Sequence, residues 1–298
     1  MRKFIYFILF FSLKGETISP SLFSWFSASK LSQAGGGSLV ITPTSRFGNA
    51  ANNLLDRRFS TSFILYPADI QAQSLAISIP NEDKLIIAAI NHLSYGTFQG
   101  FDEEAISTNN YTSSDTWFRI GYSGLSKRFP IRYGINNQLL LSNLKDYNVA
   151  KYYCSFGLIW QINKYKMDIG FSINDILLIE NSFNNFDANS PLKYNFGVCK
   201  KLAYLPLKVS IDYLIINNSN IKDYFISGIF SISKNLTLNL GTSTKKYSQN
   251  TNQSVINTIL GSSGVGINYK NKEIAVSYGL YFYGTGGWTN GLDLSINF

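Results

Sequence analysis

The last eight residues, 291–298, read Gly-Leu-Asp-Leu-Ser-Ile-Asn-Phe. Apolar and polar side chains alternate here, so a β-strand would place the apolar groups on one face and the polar groups on the other. A strand that is apolar on one side and finishes on an aromatic residue suits the closing strand of an outer-membrane barrel, whose outer face contacts lipid. We therefore predict a barrel-closing terminal strand with its apolar stripe at Leu292, Leu294, Ile296 and Phe298.

The composition of the 298-residue chain is poor in charge and rich in aromatic residues, unlike that of a typical soluble domain. Charged residues make up 15% and aromatic residues 15% of the chain, with 22 Phe and 19 Tyr, whereas soluble domains carry about 25% charged residues. So much aromatic material argues against disorder and suits strands and membrane interfaces. The net charge is +8, but the lysines are scattered at turns, so we predict no nucleic-acid partner.

The alternation of the last strand recurs from Phe59 onward in segments of about ten residues, separated by turn residues. A tilted strand needs about 9–11 residues to cross a bilayer, and bacterial barrels contain an even number of strands. We therefore predict an all-β fold, an antiparallel transmembrane β-barrel of about 14 strands over residues 59–298. The predicted strands are 59–66, 73–79, 85–94, 115–123, 131–141, 149–160, 165–174, 193–201, 206–216, 223–232, 236–243, 260–269, 273–282 and 291–298.

Short and long connections alternate between these strands. Outer-membrane barrels have tight periplasmic turns and extended extracellular loops, and a soluble β-sandwich has no reason to sort its loops in this way. This alternation favours the membrane barrel over the sandwich. With an even number of strands, it also places the start of the first strand and the end of the last strand on the periplasmic side. The short turns are Pro80–Lys84, Gln161–Asn163, Ser233–Asn235 and Lys270–Lys272, and the long loops are Tyr95–Ser114, Asp175–Leu192 and Thr244–Ile259.

The N-terminal region is predicted to contain two parts that do not belong to the barrel. Residues 1–16 have a basic start and a short apolar stretch, Phe4–Leu13. This pattern is typical of a secretory signal, the alternative being a buried first strand or helix. Residues 17–58 are rich in Ser, Gly and Asn and form either a flexible periplasmic tail or a plug inside the barrel. The plug candidates are Gly35, Gly36, Gly37, Asn49, Ala50 and Ala51.

No motif predicts catalysis, a metal site or a cofactor. His92 is the single histidine, and Asn91 lies on the opposite strand face from it, so a lipase site is disfavoured. The acidic run Asp102–Glu104 could bind calcium, but it lacks EF-hand spacing and equally suits a solvated loop. Cys154 and Cys199 are expected on opposite strand faces, which argues against a disulfide.

The short turns collect basic residues, and two interpretations of them remain open. They could attract anionic lipid headgroups at the inner leaflet, or they could be ordinary polar turns that keep the strand ends in water. The residues concerned are Lys127, Arg128, Lys200, Lys201, Lys270 and Lys272. The Gly-rich stretch Tyr283–Asn290 lacks the Lys-Ser/Thr of a phosphate loop and is predicted to be a hairpin loop with an interfacial Trp288.

Residues 95–214 resemble the PorV/PorQ branch of FadL-like outer-membrane proteins, nearer to PorQ, which accompany type IX secretion. The matching stretches are Tyr95-Gly-Thr-Phe98, Asp102-Glu103, Tyr111-Thr-Ser-Ser-Asp115, Leu192-Lys-Tyr-Asn-Phe-Gly-Val-Cys-Lys-Lys-Leu202 and Leu205-Pro-Leu207. The resemblance implies a non-enzymatic accessory of type IX protein secretion in the Gram-negative outer membrane. Its partners would be membrane lipid and secretion proteins or secreted cargo. The implied outer-loop docking residues are Tyr95, Phe98, Asp102, Glu103, Tyr111 and Asp115.

The alternative function is a FadL-like channel for the uptake of hydrophobic small molecules, gated by the plug. Such a channel should contain an apolar pocket inside the barrel. The side chains that we predict to face inward are instead charged or amide groups, which favours a scaffold or a polar pore. These predicted inward positions are Lys166, Asp168, Lys193, Asn195, Lys208 and Asp212.

Overall fold

The computed structural model describes residues 20–40, 42–46, 48–51, 56–102, 104–144, 147–182, 190–217, 221–248 and 255–298. The predicted signal segment and Glu103 lie outside the described residues. Within the described ranges, no helix combines the length and the apolar character needed to cross a membrane. Three short α-helices occur in the described residues, namely α1 (Ala28–Ser32), α2 (Lys245–Ser248) and α3 (Val255–Leu260), and 3-10 turns span Pro20–Leu22 and Asn163–Tyr165.

Fourteen antiparallel β-strands form one closed barrel in which every strand pairs with its neighbours in sequence, and the last strand pairs with the first. In the closing pair Ser60 lies opposite Ser295 and Ser62 lies opposite Asp293. The strands are β1 (Arg58–Leu65), β2 (Gln71–Asn81), β3 (Lys84–Phe101), β4 (Ser107–Leu125), β5 (Ile131–Leu144), β6 (Tyr147–Ile162), β7 (Met167–Ser182), β8 (Lys193–Lys201), β9 (Leu207–Ile216), β10 (Ile221–Ser231), β11 (Leu236–Ser243), β12 (Ser263–Lys270), β13 (Ile274–Phe282) and β14 (Trp288–Asn297).

The alternation in the sequence separates an apolar outer face from a polar inner face. In β14, Leu292 is 50% exposed, whereas the next residue, Asp293, is 7% exposed and points into the barrel. The whole predicted stripe of Leu292, Leu294, Ile296 and Phe298 lies exposed on the outside. An apolar face that remains open to the surroundings after the barrel has closed is the surface that lipid covers in membrane barrels.

All fourteen predicted strands are present in the barrel. The bounds of β8 and β11 match the predicted residues at both ends, and the predicted long loop Thr244–Ile259 does connect β11 to β12. The prediction of a long loop over Tyr95–Ser114 is wrong, because β3 continues to Phe101 and β4 begins at Ser107. The loop predicted from Asp175 also begins too early, because β7 continues to Ser182.

Five consecutive strands form a tall wall on one side of the barrel. Strands β3 to β7 contain 18, 19, 14, 16 and 16 residues, whereas β1 and β14 contain 8 and 10. Since short turns join these strands at one end of the barrel, the extra length extends from the opposite end. The part of β3 and β4 between residues 95 and 114 is a projecting hairpin, interrupted by two register shifts at Ser94/Thr97 and Phe98/Gly100.

The connections divide the barrel into two rims. We call the end that carries the short turns the short-turn rim; it also holds the start of β1 and the chain terminus. We call the opposite end the long-loop rim. By the usual arrangement of outer-membrane barrels, the short-turn rim faces the periplasm.

The interior of the barrel contains the N-terminal segment, by which we mean residues 20–51. Its backbone lies against paired inward-facing glycines of neighbouring strands, including Gly134 opposite Gly157 and Gly279 opposite Gly291. A Cβ atom at Gly134 would lie 2.1 Å from the carbonyl oxygen of Ala50, and one at Gly279 would lie 2.1 Å from that of Ala28. Side chains larger than hydrogen would therefore displace the segment from the wall.

Candidate functional site

The inward carboxylate of β14 holds the start of α1 against the barrel wall. Asp293 accepts hydrogen bonds from the backbone N–H groups of Ala28 at 2.7 Å and Ser29 at 3.0 Å. It also accepts one from the Ser27 hydroxyl at 2.8 Å. The two backbone N–H groups are among those that a helix leaves unpaired at its first turn, so the wall supplies the cap that the helix itself lacks.

A second inward carboxylate holds the Gly-rich turn that follows α1. Asp212 of β9 accepts hydrogen bonds from the backbone N–H groups of Gly37 and Ser38 and from the Ser38 hydroxyl. The Lys30 ammonium donates to the carbonyl oxygens of Gly36 and Gly37. Burial lowers the pKa of Lys30 to about 8, against the opposing charge of Asp212.

Three charged side chains buried in the lumen form what we call the charge triad, which consists of Arg46, Asp175 and Lys193. Asp175 of β7 lies 2.8 Å from Arg46 Nη1 and 2.8 Å from Lys193 Nζ. Both cations also donate to the carbonyl oxygen of Leu22. The Arg46 guanidinium stacks 3.9 Å from the centre of the Trp117 ring. The triad therefore ties both ends of the N-terminal segment to the tall wall.

Amide and guanidinium groups of the wall bind the rest of the segment through its backbone. Arg119 of β4 donates to the carbonyl oxygens of Pro43 and Ser45, and Asn91 of β3 donates to that of Thr44. Asn49 lies near the C-terminal end of the segment, and its amide donates to backbone carbonyls of β6 and β7 at 3.0 and 2.9 Å. Such contacts replace the strand-to-strand pairing that this irregular backbone lacks.

At the long-loop rim, aromatic side chains line a pocket of about 220 Å³. One wall belongs to the N-terminal segment, and the others come from the β1–β2 connection, the middle of β3, α2, and the end of β13 with the loop after it. Two edge-to-face contacts order this wall: Trp25 and Tyr281 have ring centroids 4.6 Å apart, as do Tyr281 and Tyr283. The lining residues are Phe23, Ser24, Trp25, Tyr66, Ile70, Leu93, Tyr95, Lys245, Tyr281 and Tyr283.

Tyrosine hydroxyls in this lining bond to the protein. The Tyr66 hydroxyl accepts from the Trp25 N–H at 2.8 Å and donates to the Trp25 carbonyl at 2.6 Å. The Tyr95 hydroxyl donates to Asp115 at 2.7 Å. Burial raises the pKa of Tyr66 and of Tyr283 well above the usual tyrosine range, so both stay neutral. The rings therefore present their faces and edges to the cavity, and the pocket wall is mainly apolar.

Lys245 is the charged group of the lining. It belongs to α2, in the long loop between β11 and β12, and its ammonium lies 5.7 Å from the Trp25 ring centroid and 5.6 Å from that of Phe225. Burial lowers its pKa, against the charge of Asp223. A cation that close to aromatic rings is held partly by their quadrupoles.

The predicted docking residues do not form one surface. Tyr95 lines the pocket, and Asp115 is buried at the inner face of β4, so its prediction as an outer-loop residue is wrong. Strand alternation explains the error, because Asp115 points to the lumen as Trp117 does. Phe98 and Tyr111 stack at 5.4 Å on the projecting hairpin, and exposed Asp102 accepts from backbone N–H groups in the tip of that hairpin. Glu103 lies outside the described residues.

The structure also locates the other residues that the sequence analysis considered. His92 faces outward and bonds to Thr116 at 2.9 Å, while Asn91 points inward, as predicted. Cys154 and Cys199 are both free and buried. Lys166 is not an inward residue, because it follows the turn Asn163–Tyr165 in a left-handed conformation and is exposed. Within the described ranges, no group of three potential metal ligands is gathered at one place.

The predicted plug candidates are all in contact with the barrel or with the pocket wall. Gly35 has φ +85° and packs under the indole of Trp25, where a Cβ atom would lie 2.7 Å from the ring. Gly36 and Gly37 form the turn bound by Lys30, and Asn49, Ala50 and Ala51 lie against Gly134 and Gly157. The aromatic lining was not predicted from the sequence. The apolar residues Leu22, Phe23, Trp25 and Phe26 within a Ser-rich segment were the available signal.

No protein-family model and no curated protein matches the chain. Solved structures do. The crystal structure of the Pseudomonas putida toluene transporter TodX matches with a TM-score of 0.59 at 11% identity, covering 92% of this chain and 99% of that one. A Pseudomonas aeruginosa FadL homologue matches with a TM-score of 0.53 at 9% identity, covering 95% and 100%. The Ralstonia pickettii toluene transporter TbuX gives 0.51 at 10% identity, covering 92% and 98%.

At these identities the likeness establishes the fold alone. The neighbours are outer-membrane barrels of the FadL family, and two of them are toluene transporters. Together with the closed barrel and its exposed apolar outer face, the likeness shows that this chain is an outer-membrane β-barrel that crosses the bilayer with fourteen antiparallel strands.

Proposed function

We propose that this barrel binds small hydrophobic compounds in its mouth pocket and passes them across the outer membrane, with the N-terminal segment acting as its plug. The observation that carries this proposal is the aromatic pocket of about 220 Å³ at the long-loop rim. A dry apolar cavity of about 150 Å³ is sufficient to bind benzene. The pocket therefore suits a ligand of about the size of one substituted aromatic ring.

The charged inner face of the barrel does not argue against this function. Lys193 and Asp212, predicted to favour a polar pore, are bonded to the N-terminal segment. They do not line the pocket, whose walls consist of aromatic and aliphatic side chains together with Ser24 and Lys245. The toluene transporters with a similar fold support the same class of ligand.

The plug role rests on the contacts that hold the segment in place. The charge triad, Asp212 and Asp293 bind it to β7, β8, β9 and β14, and glycine pairs accept its backbone closely. A segment bound in this way occupies part of the barrel interior and forms one wall of the pocket. Passage along the axis therefore requires that part of the segment move.

The test is to fill the pocket without altering the barrel. Ile70→Trp adds an indole to the pocket lining, and Leu65→Trp adds the same bulk to the outer face, where Leu65 is exposed. We expect toluene binding, measured by calorimetry on the protein in detergent, to be lost in Ile70→Trp and kept in Leu65→Trp. Toluene flux into vesicles should follow the same pattern. Equal binding by both variants would remove the pocket from the proposal.

A second candidate is the non-enzymatic accessory role in type IX protein secretion, implied by the family resemblance. The observation that favours it is the projecting hairpin, whose tip exposes Phe101 at 56% and Ile106 at 61% beyond the barrel. Exposed apolar side chains on a projecting element favour docking of another protein. Phe101→Ser with Ile106→Ser should then change the set of surface proteins as gene deletion does. A normal surface proteome in the deletion strain would exclude this role.

A further inference from the structure

Basic side chains that are scattered in the sequence meet at the short-turn rim. Fourteen of the 26 basic residues of the chain lie there, with five of its 18 acidic residues. These side chains together give the rim a net charge of +9. The basic residues are Arg57, Arg58, Lys84, Lys127, Arg128, Arg132, Lys164, Lys166, Lys200, Lys201, Lys208, Lys234, Lys270 and Lys272, and the acidic residues are Asp56, Glu82, Asp83, Asp168 and Glu273.

The cations of three successive turns are exposed and lack a carboxylate partner within the described part of the chain. The ion pairs found at this rim join Asp56 to Arg58 at 3.7 Å and to Lys270 at 3.6 Å. The turns β4–β5, β6–β7 and β8–β9 each present two cations to solvent: Lys127 and Arg128, Lys164 and Lys166, and Lys200 and Lys201. An uncompensated set of charges around a rim attracts a multivalent anionic surface.

Each of these turns also carries an exposed aromatic side chain next to its cations. Phe129 is 63% exposed, Tyr165 is 56% exposed, and Tyr204 is 99% exposed. Aromatic residues favour the depth of the headgroups, with the ring toward the acyl chains, and neighbouring lysines can then reach the phosphates. A soluble acidic partner would gain little from a ring at every turn, whereas a lipid leaflet surrounds the whole rim. The combination favours lipid.

The exposed charges of the opposite rim are mixed. They include Asp69 on the β1–β2 connection, Asp102 and Glu104 on the tip of the projecting hairpin, and Lys222 at the start of β10. We propose that the short-turn rim is a binding site for anionic phospholipid headgroups of the periplasmic leaflet, seated between the turn cations and the adjacent aromatic rings. The site would fix the depth and orientation of the barrel.

Trp160 provides a local reporter of this site. It is 51% exposed at the end of β6, beside the turn that contains Lys164 and Lys166, while Trp25 and Trp117 are buried inside the barrel and Trp288 lies at the opposite rim. The protein would be placed in vesicles made of equal parts phosphatidylcholine and phosphatidylglycerol, with one or the other brominated. The signal of Trp160 is the quenching that is lost in Trp160→Phe.

We expect brominated phosphatidylglycerol to quench Trp160 more strongly, with a relative binding constant about fivefold above that of phosphatidylcholine at low salt. The preference should shrink in high salt, because exposed charges are screened. Lys164→Gln with Lys166→Gln should lower the relative binding constant toward one. The control, Lys222→Gln with Lys246→Gln at the long-loop rim, should leave it unchanged.

Equal quenching by the two lipids in the wild-type protein would overturn the proposal, whatever the variants do. So would a preference that persists in Lys164→Gln with Lys166→Gln while that variant retains the strand signal in circular dichroism. If the same variant instead lost binding to an acidic periplasmic protein and kept its lipid preference, the rim would be a protein-docking surface and the lipid site would be excluded.

Discussion

Asp175→Asn should release the N-terminal segment from the barrel wall. The carboxylate of Asp175 is the single anion of the charge triad, and it lies between Arg46 and Lys193 with almost no exposure of any of the three side chains. The amide has nearly the same shape, so packing is retained. The variant removes the carboxylate that both buried cations bind, which is far more costly than the loss of a surface ion pair.

The size of the effect follows from this geometry. Removing one partner of a buried pair costs about 3–5 kcal/mol. Arg46 and Lys193 keep the Leu22 carbonyl, and Arg46 keeps the face of Trp117, so the lower end of that range applies. At about 1.4 kcal/mol for each factor of ten, the population with the segment released should rise by about two orders of magnitude.

Cys199 reports this release directly. It is buried under Leu39 and Ala51, which belong to the N-terminal segment. In a Cys154→Ser background, the rate of maleimide labelling of Cys199 in detergent measures how often the segment leaves the wall. We expect labelling about 100-fold faster in Asp175→Asn than in the parent.

Glu180→Gln is the matched control. Glu180 also belongs to β7 and pairs with Lys151 at 2.7 Å, but it is 24% exposed and no bond to the N-terminal segment was found for it among the described residues. In Glu180→Gln, the labelling rate of Cys199 should stay near that of the parent. Replacing the entire triad with Met and Leu side chains should restore slow labelling, because an apolar substitute for a buried ion group is often neutral. Slow labelling in Asp175→Asn would refute the tethering role of the triad.

Three further predictions concern the same segment. Asp293→Asn should cost about 1–3 kcal/mol in urea unfolding, because the amide cannot accept all three hydrogen bonds from the start of α1. Gly279→Ala should speed the labelling of Cys199, whereas Gly228→Ala, where a new Cβ atom meets nothing closer than 3.3 Å, should not. Burial lowers the pKa of Lys30 from 10.5 to about 8, so the folded state binds fewer protons than the unfolded chain between these values. Stability relative to Lys30→Met should therefore rise by about 3 kcal/mol from pH 8 to pH 10.5, and a flat difference would contradict this.

The strands could be predicted from the sequence because lipid imposes a local pattern. Wherever a strand crosses the bilayer, every second side chain must be apolar, and β8 and β11 were delimited by this rule alone. The rule fails beyond the membrane. Between Tyr95 and Ser114 both faces of the hairpin lie in water, so the apolar alternation disappears although the strands continue.

The pocket could not be predicted because its residues have no common spacing. They come from the N-terminal segment, the β1–β2 connection, the middle of β3, α2, and the end of β13 with the loop after it. Only the closure of the barrel brings Trp25 against Tyr281 and Tyr66. The error about the polar interior has a similar cause. Alternation shows which side chains point inward, but it does not show that the same chain supplies their partners.

The pocket and the tether share one stretch of chain, and this couples them. Leu22 receives the two cations of the charge triad through its carbonyl, while Phe23 and Trp25, immediately after it, form the pocket wall. Displacing the segment must therefore dismantle the pocket. By linkage, a ligand that binds against Trp25 stabilises the docked segment by as much as the docked segment favours the ligand. A tightly held ligand would then keep the segment docked. The transport proposed above therefore requires that the ligand bind only weakly in the pocket.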